Sequence, residues 1–475
     1  MDGPQSYSRI VVDAPDDPLL AIARLAESGI SQTYVVYEDD SVWRFAGGVM
    51  AEIIVSPRGV RFRWDGWKRE LSWNGRPLQQ VAALLDQLRI ADWRAYGWAA
   101  FELAYAEAGQ REWMDDAAPL LHLIVPRVEV VIDAEHARVR SSDPDALQAA
   151  VQLVEQPVTS PSYAVEPIEI DDLPQDRYTD AVAAAVHEIR QRELQKVILS
   201  RVVPIDRDVD LVGTYVVGRR RNSPARSFLL NMGGLQAAGF SPETVVEVAS
   251  DGQVTTQPLA GTRALGGDAE ENTRLRGELL ADSKELFEHA ISVKVAYDEL
   301  AGLCRPDTVA VREFMDVKRR GTVQHLGSQV AGQLSADCGP WDAFGAVFPS
   351  VTASGVPKHA AYASIRRHEP EPRGLYSGAV FTIDSNGAMD AALVLRTIFR
   401  EAGRTWLRAG AGIVEQSRPE RELQETCEKL RSVAQCLVPA APVTGPVTGE
   451  VDRPQAACPR SSDADSVPTP AKAWQ

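Results

Sequence analysis

Cysteine is scarce in this 475-residue chain: Cys304, Cys338, Cys427, Cys436 and Cys458 are odd in number and widely spaced, with no Cys-x-x-Cys pair. That usage excludes a disulfide framework or a structural zinc knot and points to a reducing compartment. Histidine is scarce too, with seven residues, and His289 and His325 stand too isolated for a zinc site. No run of Lys or Arg is long enough to form a basic stripe, and 50 basic against 66 acidic residues leave a net charge of −16. Nucleic acid, which needs clustered positive charge, is therefore disfavoured as a partner. No segment approaches the roughly 18 uninterrupted apolar residues of a membrane span. Met1–Asp17 is polar and acidic and lacks the apolar core of a signal peptide, so a cytoplasmic protein is expected. Walker A, GxGxxG after a strand, GxSxG and HExxH are all missing. Nucleotide-binding, serine-hydrolase and zinc-protease chemistry lose their usual support.

What is present is an ordinary soluble composition, 44% hydrophobic and 24% charged, over a length that holds one large unit or two to three average domains. In residues 1–165, the β-branched and aromatic runs Ser31–Tyr37 and Leu121–Ile132 predict strands, while Leu78–Leu88 has helical spacing. Residues 157–167 read as a connector. Strands are expected at Lys196–Val203, Ser227–Met232, Leu235–Phe240, Thr244–Val248 and Gln253–Gln257, close enough together for antiparallel pairing. Further strands are expected at Gly378–Ile383, Ala388–Phe399 and Thr405–Ala411, and long helices over Tyr178–Leu194, Asp282–Cys304 and Pro419–Leu437. Hairpin-linked strands interrupted by long helices predict an α+β layered sandwich. From Pro439 onward seven prolines fall in 37 residues with few large apolar groups. Such a tail cannot offset its ordering entropy and is expected to be disordered.

The segment Ala409-Gly-Ala-Gly-Ile-Val414 runs into a helix whose Glu422, Glu425 and Lys429 share one face at i, i+3 and i+7. Glycines such as Gly410 and Gly412 leave backbone amides open to an anion, and paired carboxylates suit a hard cation such as Mg²⁺. Taken alone, the same residues also describe an exposed helix start with dipole-favoured acids. Glu285 and Glu288 form a second acid pair on a helical face, which is equally an ordinary amphipathic pattern. Lys196 opens an apolar strand: it is either a strand-edge lysine snorkelling to solvent or a buried general base. Glu243, at a turn, is either a solvated acid or a general acid kept protonated by its pocket. Arg396 interrupts an apolar strand and, if buried, needs an anionic partner; with Tyr376 it suits a carboxylate.

The segments Lys196-Val-Ile-Leu-Ser-Arg201, Pro258-Leu-Ala-Gly-Thr-Arg263, Thr322-Val-Gln-His-Leu-Gly-Ser328, Val351-Thr-Ala-Ser-Gly-Val-Pro-Lys358, Arg373-Gly-Leu-Tyr-Ser-Gly378 and Arg404–Glu415 occur in that order. Together they resemble the chorismate-utilising enzymes, most of all the salicylate synthases of siderophore pathways of the mycobactin type. The likeness runs from about Tyr178 to Val438 and is faint before Pro167. It implies two orthogonally packed antiparallel sheets covered by helices, with 1–165 as the N-terminal part of the fold and 166–438 as the chorismate-binding catalytic region. It implies Mg²⁺ held by Glu288, Glu422 and Glu425 with Glu285 close by, assisted by Lys429 and the amides around Gly410 and Gly412. Tyr376 and Arg396 would grip the enolpyruvyl carboxylate, and Thr262, His325 and Thr352 would line the pocket. Lys196 would activate water and Glu243 would protonate the departing hydroxyl. Aminodeoxychorismate synthases typically carry Lys where this chain has Ala260, and anthranilate synthases typically lack a lysine at the position of Lys196. Water is therefore the expected nucleophile, with no glutamine amidotransferase subunit. The resemblance implies a monomer that forms salicylate and pyruvate. The alternatives are an isochorismate synthase that stops after the first step and a non-catalytic chorismate-binding homologue. The latter predicts losses at the acid–base or metal positions, and none is found.

Overall fold

The computed structural model describes residues 5–440 apart from 74, 117, 158–160, 171–175, 267 and 322. The predicted Pro-rich tail, beyond Ala440, lies outside the described residues. Two large antiparallel sheets dominate, one of 11 strands and one of 12. Residues Val35, Tyr37, Phe228, Leu230 and Phe399 of the first sheet meet Tyr96, Trp98, Val380 and Ala392 of the second in one buried cluster. The opposite face of the first sheet is covered by the helices Pro18–Glu27, Pro144–Glu155, Leu211–Arg221 and Pro419–Ala434. The second sheet is covered by Pro77–Leu85, Ser283–Ala301, Pro340–Val347 and Lys358–His368. A central strand such as Tyr34–Asp39 is thus buried on both sides over most of its length, which is why Tyr34–Tyr37 is a continuous apolar run rather than an alternating one. Among the described residues no helix is long and apolar enough to cross a membrane.

The N-terminal segment is woven through both layers. Tyr34–Asp39 pairs with Arg226–Met232 in the first sheet, and Arg94–Ala99 pairs with Ala379–Asp384 in the second. Two predicted strands divide. Leu121–Ile132 breaks at Pro126, which cannot donate to a ladder, so that Leu121–Val125 lies in the second sheet and Val128–Ile132 in the first. Ala388–Phe399 likewise becomes Met389–Leu393 in the second sheet and Thr397–Glu401 in the first. Arg396 stands in that crossing with φ +49°, so it does not interrupt a strand. A non-glycine residue held in the left-handed region costs about 1–2 kcal/mol, a strain that clusters at functional sites.

A second crossing lies beside it. Pro242 and Glu243 connect Leu235–Ser241 of the first sheet to Thr244–Val248 of the second. The two crossings are hydrogen-bonded to each other, Leu393 N to Glu243 O at 3.0 Å and Phe240 N to Arg396 O at 3.2 Å.

Candidate active site

The crossings open onto a cleft of about 780 Å³. Its walls include Glu243, Thr262, Glu288, His325, Thr352, Tyr376, Arg396, Gly410, Gly412, Glu425 and Lys429. Residues nominated from widely separated segments of sequence, from Glu243 to Lys429, therefore converge. Lys196, Glu285 and Glu422 stand just behind the wall, and each touches or shares partners with a wall residue.

Lys196 begins the Lys196–Pro204 strand, whose partner is Arg404–Ile413 with Ile198 opposite Gly412 and Ser200 opposite Gly410. Its side chain is fully buried; Nζ donates to Ser292 Oγ at 3.0 Å and pairs with Glu288 Oε1 at 3.1 Å. The snorkelling alternative is thereby removed, and the amine has a carboxylate partner. Gly412 makes the approach possible, because a Cβ there would stand 2.0 Å from Glu288 Oε1.

Glu243 is buried, and its Oε1 accepts from Thr352 Oγ1 at 2.5 Å and Ser350 Oγ at 2.9 Å. Burial pushes its carboxyl up to about 7 against the pull of those hydroxyls. Ser350 was missed from sequence because it falls one residue before the motif that begins at Val351.

Arg396 is buried with no ion pair among the described residues. Its Nη1 donates to Arg320 O at 2.9 Å and its Nη2 lies 2.6 Å from His325 Nε2. Guanidinium only donates, so His325 Nε2 must accept, leaving Nδ1–H to donate to Thr262 Oγ1 at 3.1 Å. Burial and the Arg396 charge hold His325 well below the usual imidazole range, in keeping with this neutral tautomer. Burial, with the nearby Arg320 charge, lowers Arg396 to about 9. A buried guanidinium without a carboxylate partner suits an anionic ligand. Tyr376 adds a phenol to the same cleft wall, pressed by the guanidiniums of Arg408 and Arg373, with ring-to-cation distances of 5.4 and 5.9 Å. Those arginines are fixed by buried Glu369, a floor that no motif singled out.

The four acids are not equivalent. Glu285 is tied to protein: Oε2 accepts from Thr262 N at 2.9 Å and Oε1 pairs with Arg263 at 3.1 Å. Glu425 pairs with Lys429 at 2.8 Å, and Lys429 Nζ also donates to Gly410 O at 2.8 Å. Burial would raise Glu425, yet the Lys429 and Lys284 ammoniums outweigh it and hold it below the usual range. Glu422 goes the other way, raised by burial and by the charge of Glu425. Lys284 Nζ lies 2.9 Å from Glu422 Oε1, but off the hydrogen-bonding direction, so neither Glu422 oxygen receives a well-directed bond. As they stand, no three such donors converge on one point among the described residues. The donor set still fits Mg²⁺: it is all carboxylate oxygen, hard and anionic, with two buried oxygens short of partners.

Residues 34–435 match the family described as chorismate binding enzyme. A salicylate synthase from Mycolicibacterium paratuberculosis is 40% identical over 424 residues, covering 89% of this chain and 94% of that protein. Among solved structures, anthranilate synthase component I from Streptococcus pneumoniae has a TM-score of 0.70 at 25% identity, covering 83% of this chain and 92% of that one. The menaquinone-specific isochorismate synthase from Escherichia coli has a TM-score of 0.69 at 24% identity, covering 92% and 96%. With the match spanning both sheets and the whole cleft, the chain belongs to the family of chorismate-binding enzymes.

Proposed function

We propose that this protein is a Mg²⁺-dependent salicylate synthase that converts chorismate through isochorismate to salicylate and pyruvate, in the service of siderophore assembly. The observation that carries this is the near full-length likeness to a salicylate synthase in a cleft where Lys196 is buried beside Glu288 and the wall position is Ala260, not an amine. A bound Mg²⁺ would supply Lewis-acid charge against the ring carboxylate, held by Glu288, Glu422 and Glu425 with Glu285 steering. Arg396, lacking an internal anion, and Tyr376 would take the enolpyruvyl carboxylate. Lys196 would remove a proton from the water that attacks C2. Glu243, carrying its proton near neutrality, would hand it to the hydroxyl leaving C4, so that isochorismate forms as an isomer of chorismate with no net gain of water. The C2 hydrogen then passes to the enolpyruvyl methylene as the C–O bond breaks, and the ring becomes aromatic. That step needs orientation more than acid or base.

Incubation with chorismate, with and without Mg²⁺, followed by chromatography of the products, tests the proposal. Salicylate and pyruvate in equal amounts, formed only with metal, are expected. Isochorismate alone would reassign the protein as an isochorismate synthase, and anthranilate formed with ammonia would overturn water as nucleophile.

A further inference from the structure

Lys284 defies the ordinary rules of helix ends. It is the second residue of the Ser283–Ala301 helix, where the dipole and free N–H groups favour an anion and oppose a cation. Its side chain nevertheless turns inward, 14% exposed, with Nζ 2.9 Å from Glu422 Oε1 and 3.5 Å from Glu285 Oε1. The charges of Glu288 and Glu425 act on it as well. The other two lysines of the site have fixed posts: Lys196 on Ser292, and Lys429 on the Gly410 carbonyl. Among the described residues, Lys284 Nζ touches carboxylates alone. Its contact with Glu422 is a charge contact without directed hydrogen bonding, on a carboxylate that is itself 1% exposed.

From this geometry we propose that Lys284 is a resident counter-cation, occupying the glutamate cluster in the metal-free protein and withdrawing when a divalent ion enters. This rests on the metal site proposed above. An ammonium and a divalent ion sharing the same oxygens repel strongly in so dry a place, so the two occupy the cluster in turn. Four rotatable bonds let lysine leave without backbone movement. The metal-free fold is thereby spared four crowded carboxylates, and metal affinity is reduced by the need to expel the ammonium.

Mn²⁺ binding to the full chain, read from the electron paramagnetic resonance of the free ion, tests this in wild type, Lys284→Met, Lys284→Arg and Glu422→Gln. Lys284→Met is expected to bind at least about tenfold tighter than wild type, Lys284→Arg to stay within about threefold, and Glu422→Gln to lose binding. Without metal, Lys284→Met should melt below wild type, and the gap should close at saturating Mn²⁺. If that variant folds only with Mn²⁺ present, the proposal is equally supported; if it folds under neither condition, Lys284→Gln takes its place under the same criteria. Unchanged or weaker binding by the neutral variant, alongside a wild type that binds and a Glu422→Gln that does not, would overturn the counter-cation and leave the metal site standing. Absence of Mn²⁺ binding in wild type and neutral variants alike would remove both.

Discussion

Two side chains at this site pay for function with stability. Glu243 must carry its proton to donate it, and burial sets its midpoint at about 7. Turnover should therefore decline as pH rises through about 7. Glu243→Gln should lower kcat by about 10²- to 10⁴-fold and abolish that limb in a pH–rate profile. The same group links stability to pH. Its folded midpoint lies above that of the unfolded chain, so its contribution is complete below the ordinary carboxylate range and is lost as pH rises through about 7. Urea unfolding across that window should show a downward slope in wild type and a shallower one in Glu243→Gln. Arg396 is the second case: a buried guanidinium without an anion is a strain on the free protein. Arg396→Met should raise KM for chorismate by about 10- to 100-fold, the worth of a charged hydrogen-bonded pair, while raising the melting temperature. A fall in melting temperature would mean that its bonds to His325 and Arg320 outweigh its desolvation.

Elements with a strong, uninterrupted periodicity were legible in the sequence, whereas the paired strands Ala310–Arg320 and Val323–Gln333, the Ala269–Ala281 helix and the strands Ala51–Ser56 and Gly59–Trp64 were not. The final helix is Pro419–Ala434, with proline at its first turn as the pattern predicts, and Lys196–Pro204 differs from expectation by one residue. What the pattern could not disclose was where one apolar run changes sheet. Apolar residues on either side of Pro126 or Arg396 are buried in both layers, so hydrophobicity stays continuous while the hydrogen-bonding partner changes. The site was legible to the same degree. Motif positions converge, but the parts that orient them, such as Ser292, Ser350, Lys284 and Glu369, lie outside motifs or look like ordinary surface polarity in one dimension. Gly412 shows how strand geometry serves the cleft. With Glu288 Oε1 only 2.0 Å from an ideal Cβ, Gly412→Ala should cost about 1–3 kcal/mol by overcrowding. It should also displace Glu288, so that melting temperature and turnover fall together; a variant with wild-type turnover would show that Glu288 has room to shift.

At the scale of the molecule, the faint likeness before Pro167 does not mark a detachable domain. The strands Tyr34–Asp39 and Arg94–Ala99 are interior members of the two sheets, each hydrogen-bonded to a strand from beyond residue 225. Removing them would expose unpaired edges and the shared apolar layer. A fragment of residues 166–440 should therefore show no cooperative thermal transition by circular dichroism; a sharp transition would mean that the catalytic half holds a core of its own. The family match beginning at residue 34 agrees with this integration.

The acid and the guanidinium ride on the only two stretches described above where the chain steps from layer to layer near the cleft, and those stretches clasp each other through Leu393–Glu243 and Phe240–Arg396. A ligand gripped by both side chains would act as a rivet through the sandwich. Its arrival should register as slowed deuterium uptake at Phe240 and Leu393, one in each layer, even though neither amide faces the bound molecule.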